Sequence, residues 1–158
     1  MNIMKYEKKQ HRETISYGLT WSDYIEGTKF NVLQKMTEMT GVYVVFYLNK
    51  YKRLAPCIVG GAWFTGLRPT LLKLFSRLPS DVLPNHIFTK IQSEKIFIKY
   101  LEIYDLNDFT DILYSIKEKY PQAFFDSNGL PVSEHSKNVK TIDINTKIYY
   151  KEKADLDI

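Results

Sequence analysis

The sequence predicts an α+β fold: a small mixed sheet in one domain, 1–158, with a core from Gly41 to Pro121 that runs strand, strand, helix, strand, helix. Three observations carry this. VYVVFYL (42–48) and LAPCIVGGAWF (54–64) are apolar runs joined by the polar, basic NKYKR, as the strands of a hairpin with a longer loop are. Leu67, Leu71, Leu74, Phe75 and Leu78 then recur at helical spacing. After them KIFIKYLEIY (95–104) reads as a strand, and Leu106, Phe109, Leu113, Ile116 and Tyr120 form a second helical stripe.

Each element has its local cause. Residues 1–12 are polar and basic and read as a loose arm. Trp21, Tyr24 and Ile25 can cover the core, and Asn31 to Met39 suits a short helix. The run after Gly41 lacks polar alternation, which predicts a strand covered on both faces. Gly60 and Gly61 end the second strand, where they allow positive φ or the close approach of another group. Arg68 to Leu78 is a helix, with Pro69 at its first position, where a missing N–H costs nothing. Residues 79–94 contain two prolines and read as a loop. Asp105 or Asn107 can cap the last helix, Asp108 and Asp111 suit its positive N-terminal end, and Pro121 stops it. Residues 140–151 alternate as a half-buried C-terminal edge strand, and 152–158 form an acidic tail.

Composition bounds the function classes. The chain is 44% hydrophobic and 15% aromatic, enough for a packed core, and no apolar run reaches the roughly 18 residues of a membrane span. No apolar segment follows the charged N-terminus, so no signal peptide is read there. The single cysteine, Cys57, sits in an apolar run; a disulfide scaffold is excluded within the monomer, and a reducing, cytoplasmic setting is the natural reading. The net charge of +4 is unevenly spread: residues 29–100 carry eleven Lys/Arg against three acids, whereas 101–158 carry seven against eleven. The middle of the chain is either a surface for an anionic partner or a solvated lysine-rich face.

Common catalytic signatures are missing. There is no GxxxxGK[ST], GxGxxG or GxSxG, and His11, His86 and His135 are far apart in polar segments without zinc-ligand spacing. Cys57 in an apolar strand is a buried structural thiol rather than a nucleophile.

The hairpin and the helix after it carry more. Gly41-Val42-Tyr43 opens the first strand, Ile58-Val59-Gly60 stands in the second, and Arg68 follows Gly60 by eight residues. This arrangement resembles the GIY-YIG endonuclease family, whose core has the same ββαβα order. The resemblance covers about residues 41–121. It implies that Tyr43 helps to activate water, that Arg68 steadies the scissile phosphate, and that an acid of the second helix holds Mg²⁺ or Mn²⁺. Asp111 is the nearest acid to that last place. Where the family has a second tyrosine this chain has Ile58, and where it often has histidine or tyrosine one turn after the arginine it has Leu72. Neither hydrocarbon can orient water or bind phosphate, so the catalytic set is incomplete.

Basic and aromatic residues interleave around the hairpin. Lys50, Lys52, Arg53, Trp63, Lys73 and Arg77 are the candidate nucleic-acid-binding residues, able to neutralise phosphates or stack bases without catalysis. Two readings follow: a diverged GIY-YIG-like nuclease domain that acts on or binds nucleic acid, and a non-catalytic module that binds nucleic acid or protein through residues 29–100.

Overall fold

The structure is a computed structural model and describes residues 4–75, 83–126, 130 and 138–144. In chain order its elements are β1 (Lys5–His11), β2 (Thr14–Thr20), β3 (Ile25–Glu26), α1 (Lys29–Lys35), β4 (Gly41–Leu48), β5 (Leu54–Ala62), α2 (Leu67–Leu72), a 3₁₀ turn (Lys73–Phe75), α3 (Asn85–Ser93), β6 (Ile96–Glu102), α4 (Leu106–Lys119), β7 (Phe124–Asp126) and β8 (Val139–Asp143). The α+β class read from the sequence is the class observed.

β4 and β5 pair antiparallel as the expected hairpin, and β6 pairs with the other edge of β4. The five-stranded sheet has the order β3-β6-β4-β5-β7. β4 is therefore central and covered on both faces, which is why its run shows no polar alternation. Asn49 builds the hairpin turn: its Oδ1 accepts from the backbone N–H of Tyr51 at 2.9 Å and of Arg53 at 3.0 Å. Lys52 adopts positive φ (59°) to close it.

The two faces of this sheet carry separate cores. Tyr43, Val45, Ile58, Ile98 and Tyr100 face α1, α2 and α3, through Val32, Met36, Leu67, Leu71, Ile87 and Ile91. Val42, Val44, Phe46, Val59 and Leu101 face α4, through Phe109, Ile112, Leu113 and Ile116. Gly60 and Gly61 serve one face each. A Cβ at Gly60 would drive into the Tyr43 ring, and one at Gly61 into Phe109. Close approach, not positive φ, is what these glycines supply.

α4 starts as the sequence predicts, with the Asp105 carboxylate accepting from Asp108 N–H at 2.9 Å. Its far side meets a second sheet of order β1-β2-β8, in which β8 runs parallel to β2. Ser115 Oγ and Thr141 Oγ1 are 3.0 Å apart across this contact.

Several expectations need correction. Of the expected loose arm at 1–12, Lys5–His11 is a strand that pairs antiparallel along the whole of β2, and residues 1–3 lie outside the described residues. The high charge there belongs to an exposed edge strand, and lysines are suited to such an edge. Residues 79–94 are not all loop, since α3 occupies Asn85–Ser93 with Ile87 and Ile91 buried one turn apart. Pro84 precedes that helix as its N-cap instead of breaking it. Pro69 is the third helical residue, and Gly66 at φ 87° is the N-cap, packed against the Glu38 carbonyl. The first helix spans Lys29–Lys35, not Asn31 to Met39. The C-terminal strand begins at Val139; residues 145–151 and the acidic tail lie outside the described residues. Among the described residues, no helix is long and apolar enough to cross a membrane.

Candidate functional site

Tyr43 stands in the central strand and is 1% exposed. Its hydroxyl donates to Asp126 Oδ2 at 3.3 Å, across from Gly60, because β7 joins β5 in parallel with Gly60 opposite Asp126. Burial first, and then the Asp126 charge, push the phenol well above its usual range. This hydroxyl is a protonated donor inside the core, a poor base for attacking water.

Arg68 is in the first turn of α2, on the same side of the sheet as Tyr43. Its Nε donates to the Met36 carbonyl at 2.9 Å and its Nη1 to Glu38 Oε1 at 2.8 Å. Glu38 is exposed, so this ion pair contributes under about 1 kcal/mol. The bond to the Met36 carbonyl does more, tying α2 to the segment between α1 and β4.

Asp111 lies on α4, on the opposite face of the sheet from Tyr43 and Arg68. It is 2% exposed and accepts the Tyr17 hydroxyl at 2.9 Å. The three positions implied by the nuclease resemblance therefore do not converge on one cleft. Among the described residues, no group of three or more His, Cys, Asp or Glu side chains could hold a metal ion. Ile58 is fully buried and Leu72 packs against the same core, so both substituted positions serve packing. Asp126 was not legible as a partner of Tyr43; its only signal is a short apolar run, Phe124-Phe125, ahead of a turn-rich stretch.

The predicted binding residues divide differently. Lys50, Lys52 and Arg53 are exposed on the β4–β5 turn with Tyr51, which is 69% exposed. Lys50 Nζ sits 5.1 Å from the Tyr51 ring centre. Lys73 is exposed after α2, on the face that carries α3. Trp63 is not part of this surface: its ring packs 5.2 Å from Phe109 on the α4 side. Arg77 lies outside the described residues.

Below the turn, an open cleft of about 420 Å³ separates the strands from α3. Tyr47, Ala55, Pro56 and Cys57 form its strand wall. His86, Ile87 and Lys90 form the helix wall, with Gln122 at one end. Lys90 Nζ lies 4.7 Å from the Tyr47 ring centre. The Cys57 thiol is pushed up to about 11 by burial, with the Lys90 charge working against it. It is thus neutral at pH 7, and the charge that the cleft carries is positive. His86 and Lys90 are not legible as a pair in the sequence, because Pro79 and Pro84 give 79–94 the look of a loop and hide the helix that aligns them.

A family model described as "Uncharacterised protein" matches residues 5–154, and the chain belongs to that family. No curated protein and no solved structure matches it.

Proposed function

We propose that this member of the family is a nucleic-acid-binding module, a diverged GIY-YIG-like scaffold that binds a strand without cleaving it. The observation that carries this reading is the exposed turn Lys50-Tyr51-Lys52-Arg53, set directly above the cleft that holds His86 and Lys90. Cations on such a surface neutralise phosphates and release counterions, while an exposed tyrosine offers its ring to an unpaired base.

Cleavage fits this geometry less well. Phosphodiester hydrolysis needs an activated water, charge stabilisation at the phosphate and usually a carboxylate-held cation, all at one point. Here Tyr43 is buried against Asp126, and Asp111 is behind the sheet. A cytoplasmic setting belongs to the same reading, resting on one buried, unpaired cysteine.

Fluorescence anisotropy with labelled single-stranded DNA and RNA tests the proposal. Binding should weaken linearly in log–log form with salt, with a slope near −0.7 for each phosphate neutralised. Replacing Lys50, Lys52 and Arg53 together by Glu should lower affinity at least about tenfold with an unchanged Tm. Absence of binding to either strand at low salt would overturn the proposal. Incubation with Mg²⁺ or Mn²⁺ addresses turnover: cleavage that disappears in Arg68→Ala would restore the nuclease reading.

A further inference from the structure

We infer that the cleft between β5 and α3 is a pocket for one unstacked nucleotide of the bound strand, with Lys90 taking its phosphate and the Ala55-Pro56 wall taking its base. This inference rests on the strand-binding reading above and assigns that surface its most specific part.

Position and volume both support the assignment. Tyr47 pairs with Ala55 and Leu48 with Leu54, so the cleft wall starts two residue pairs below the basic turn, roughly 7 Å along the strand. A strand held by Lys50, Lys52 and Arg53 is therefore within one nucleotide's reach of the cleft wall. A volume of about 420 Å³ lies in the roughly 300–1,000 Å³ range of small-molecule sites. It is too small for a folded element and large enough for a base with its sugar and phosphate.

The lining has matching chemistry. The Tyr47 ring face holds the Lys90 ammonium, whose N–H donors directed away from the ring are left for an anion. Among the described residues no carboxylate lies within ion-pair reach of Lys90, so a phosphate would supply its counter-charge. Ala55, Pro56 and Ile87 offer apolar surface on both walls for a flat ring. His86 and the Gln122 amide can donate to and accept from its edge. A neutral thiol at Cys57 adds no repulsion toward phosphate.

The test is binding of 5′-mononucleotides and of inorganic phosphate at millimolar concentration, followed by the NMR chemical shifts of the cleft-lining residues. A mononucleotide at about four times its Kd should bring these shifts to about four-fifths of their saturating change, and phosphate alone should bind more weakly. Binding should vanish in Lys90→Ala and in Lys90→Gln. It should persist when Lys50, Lys52 and Arg53 are all changed to Glu. If oligonucleotides bind but no mononucleotide shifts the cleft residues, the pocket assignment fails and the strand-binding reading stands. If mononucleotides bind but no oligonucleotide does, the strand-binding reading fails, and with it the claim that the nucleotide belongs to a strand. Equal affinity for phosphate would also overturn the assignment, since the base would then contribute nothing.

Discussion

Tyr17 donates its hydroxyl to Asp111 Oδ2 at 2.9 Å, joining the middle of β2 to the second turn of α4. Asp108, one turn earlier, accepts Tyr6 at 2.8 Å and Lys8 at 3.0 Å from β1. The two carboxylates thus fasten the N-terminal hairpin to α4. Asp111 is buried, so loss of the Tyr17 donor removes a hydrogen bond that water is poorly placed to replace. Tyr17→Phe should lower unfolding stability by about 1–3 kcal/mol in urea denaturation. Millimolar Mg²⁺ should leave Tm unchanged if this role is structural. A Mg²⁺-dependent rise that Asp111→Asn abolishes would assign the carboxylate to a cation.

Gly60 and Tyr43 are coupled by contact. A methyl group at Gly60 would meet the hydroxyl end of Tyr43, which is enclosed and has nowhere to swing. Overpacking of this kind costs about 1–3 kcal/mol. Gly60→Ala should destabilise the chain within that range, and Tyr43→Val should relieve part of it. The double variant would then be less destabilised than the two single losses added together. Strict additivity in a double-mutant cycle would show that the strand has moved to accommodate the methyl group.

What could be read from the sequence, and what could not, follows from the same physics. The unbroken apolar run from Val42 to Leu48 marks a strand covered on both faces, so the central hairpin was legible. So was α4, whose cap and stripe agree. β1 is hard to read because Lys5, Lys8 and Lys9 suit an exposed edge as well as a loose arm; only their pairing with Thr20, Tyr17 and Ser16 distinguishes the two. α3 was misread because Pro84 can stop a chain segment or start a helix. The site was least legible. A helical stripe reveals that α4 packs on the sheet but not on which face, and the face is what separates Asp111 from Tyr43.

Trp63 and Tyr51 should part company when replaced. Trp63 is half-buried against Phe109, whereas Tyr51 projects from the turn. Trp63→Ala should lower stability by about 1–3 kcal/mol and leave oligonucleotide affinity unchanged. Tyr51→Ala should leave Tm unchanged and weaken single-strand binding by about 1–3 kcal/mol. Anisotropy and thermal melts on both variants check the pair, and a reversed pattern would move the interface to the α4 side.

Lys99 gives the stability a pH dependence of known sign. It is 1% exposed in β6, with Nζ 4.3 Å from the Trp21 ring centre and 3.0 Å from the Tyr120 hydroxyl. Phe46 also faces it. Asp143, which accepts Trp21 Nε1 at 2.9 Å, favours its charge, and Lys119 opposes it. Burial outweighs the attraction and lowers Lys99 to about 8 from its ordinary 10.5. Between those values the unfolded chain binds more protons than the folded one, so stability rises with pH from about 8 toward 10.5. Cys57, raised to about 11 from its ordinary 9, acts the other way, as do Tyr6, Tyr17, Tyr43 and Tyr100. Their raised values mean that the unfolded chain loses its thiol and phenolic protons first, which offsets the Lys99 rise from about pH 9 upward. The two trends predict a maximum near pH 9, with a rise from pH 7.5 of about 0.5–1 kcal/mol. Lys99→Met, one atom shorter and apolar, removes the titration. In urea denaturation at a series of pH values it should lose the alkaline rise and keep the decline. A rise that survives the substitution would assign the titration to another group.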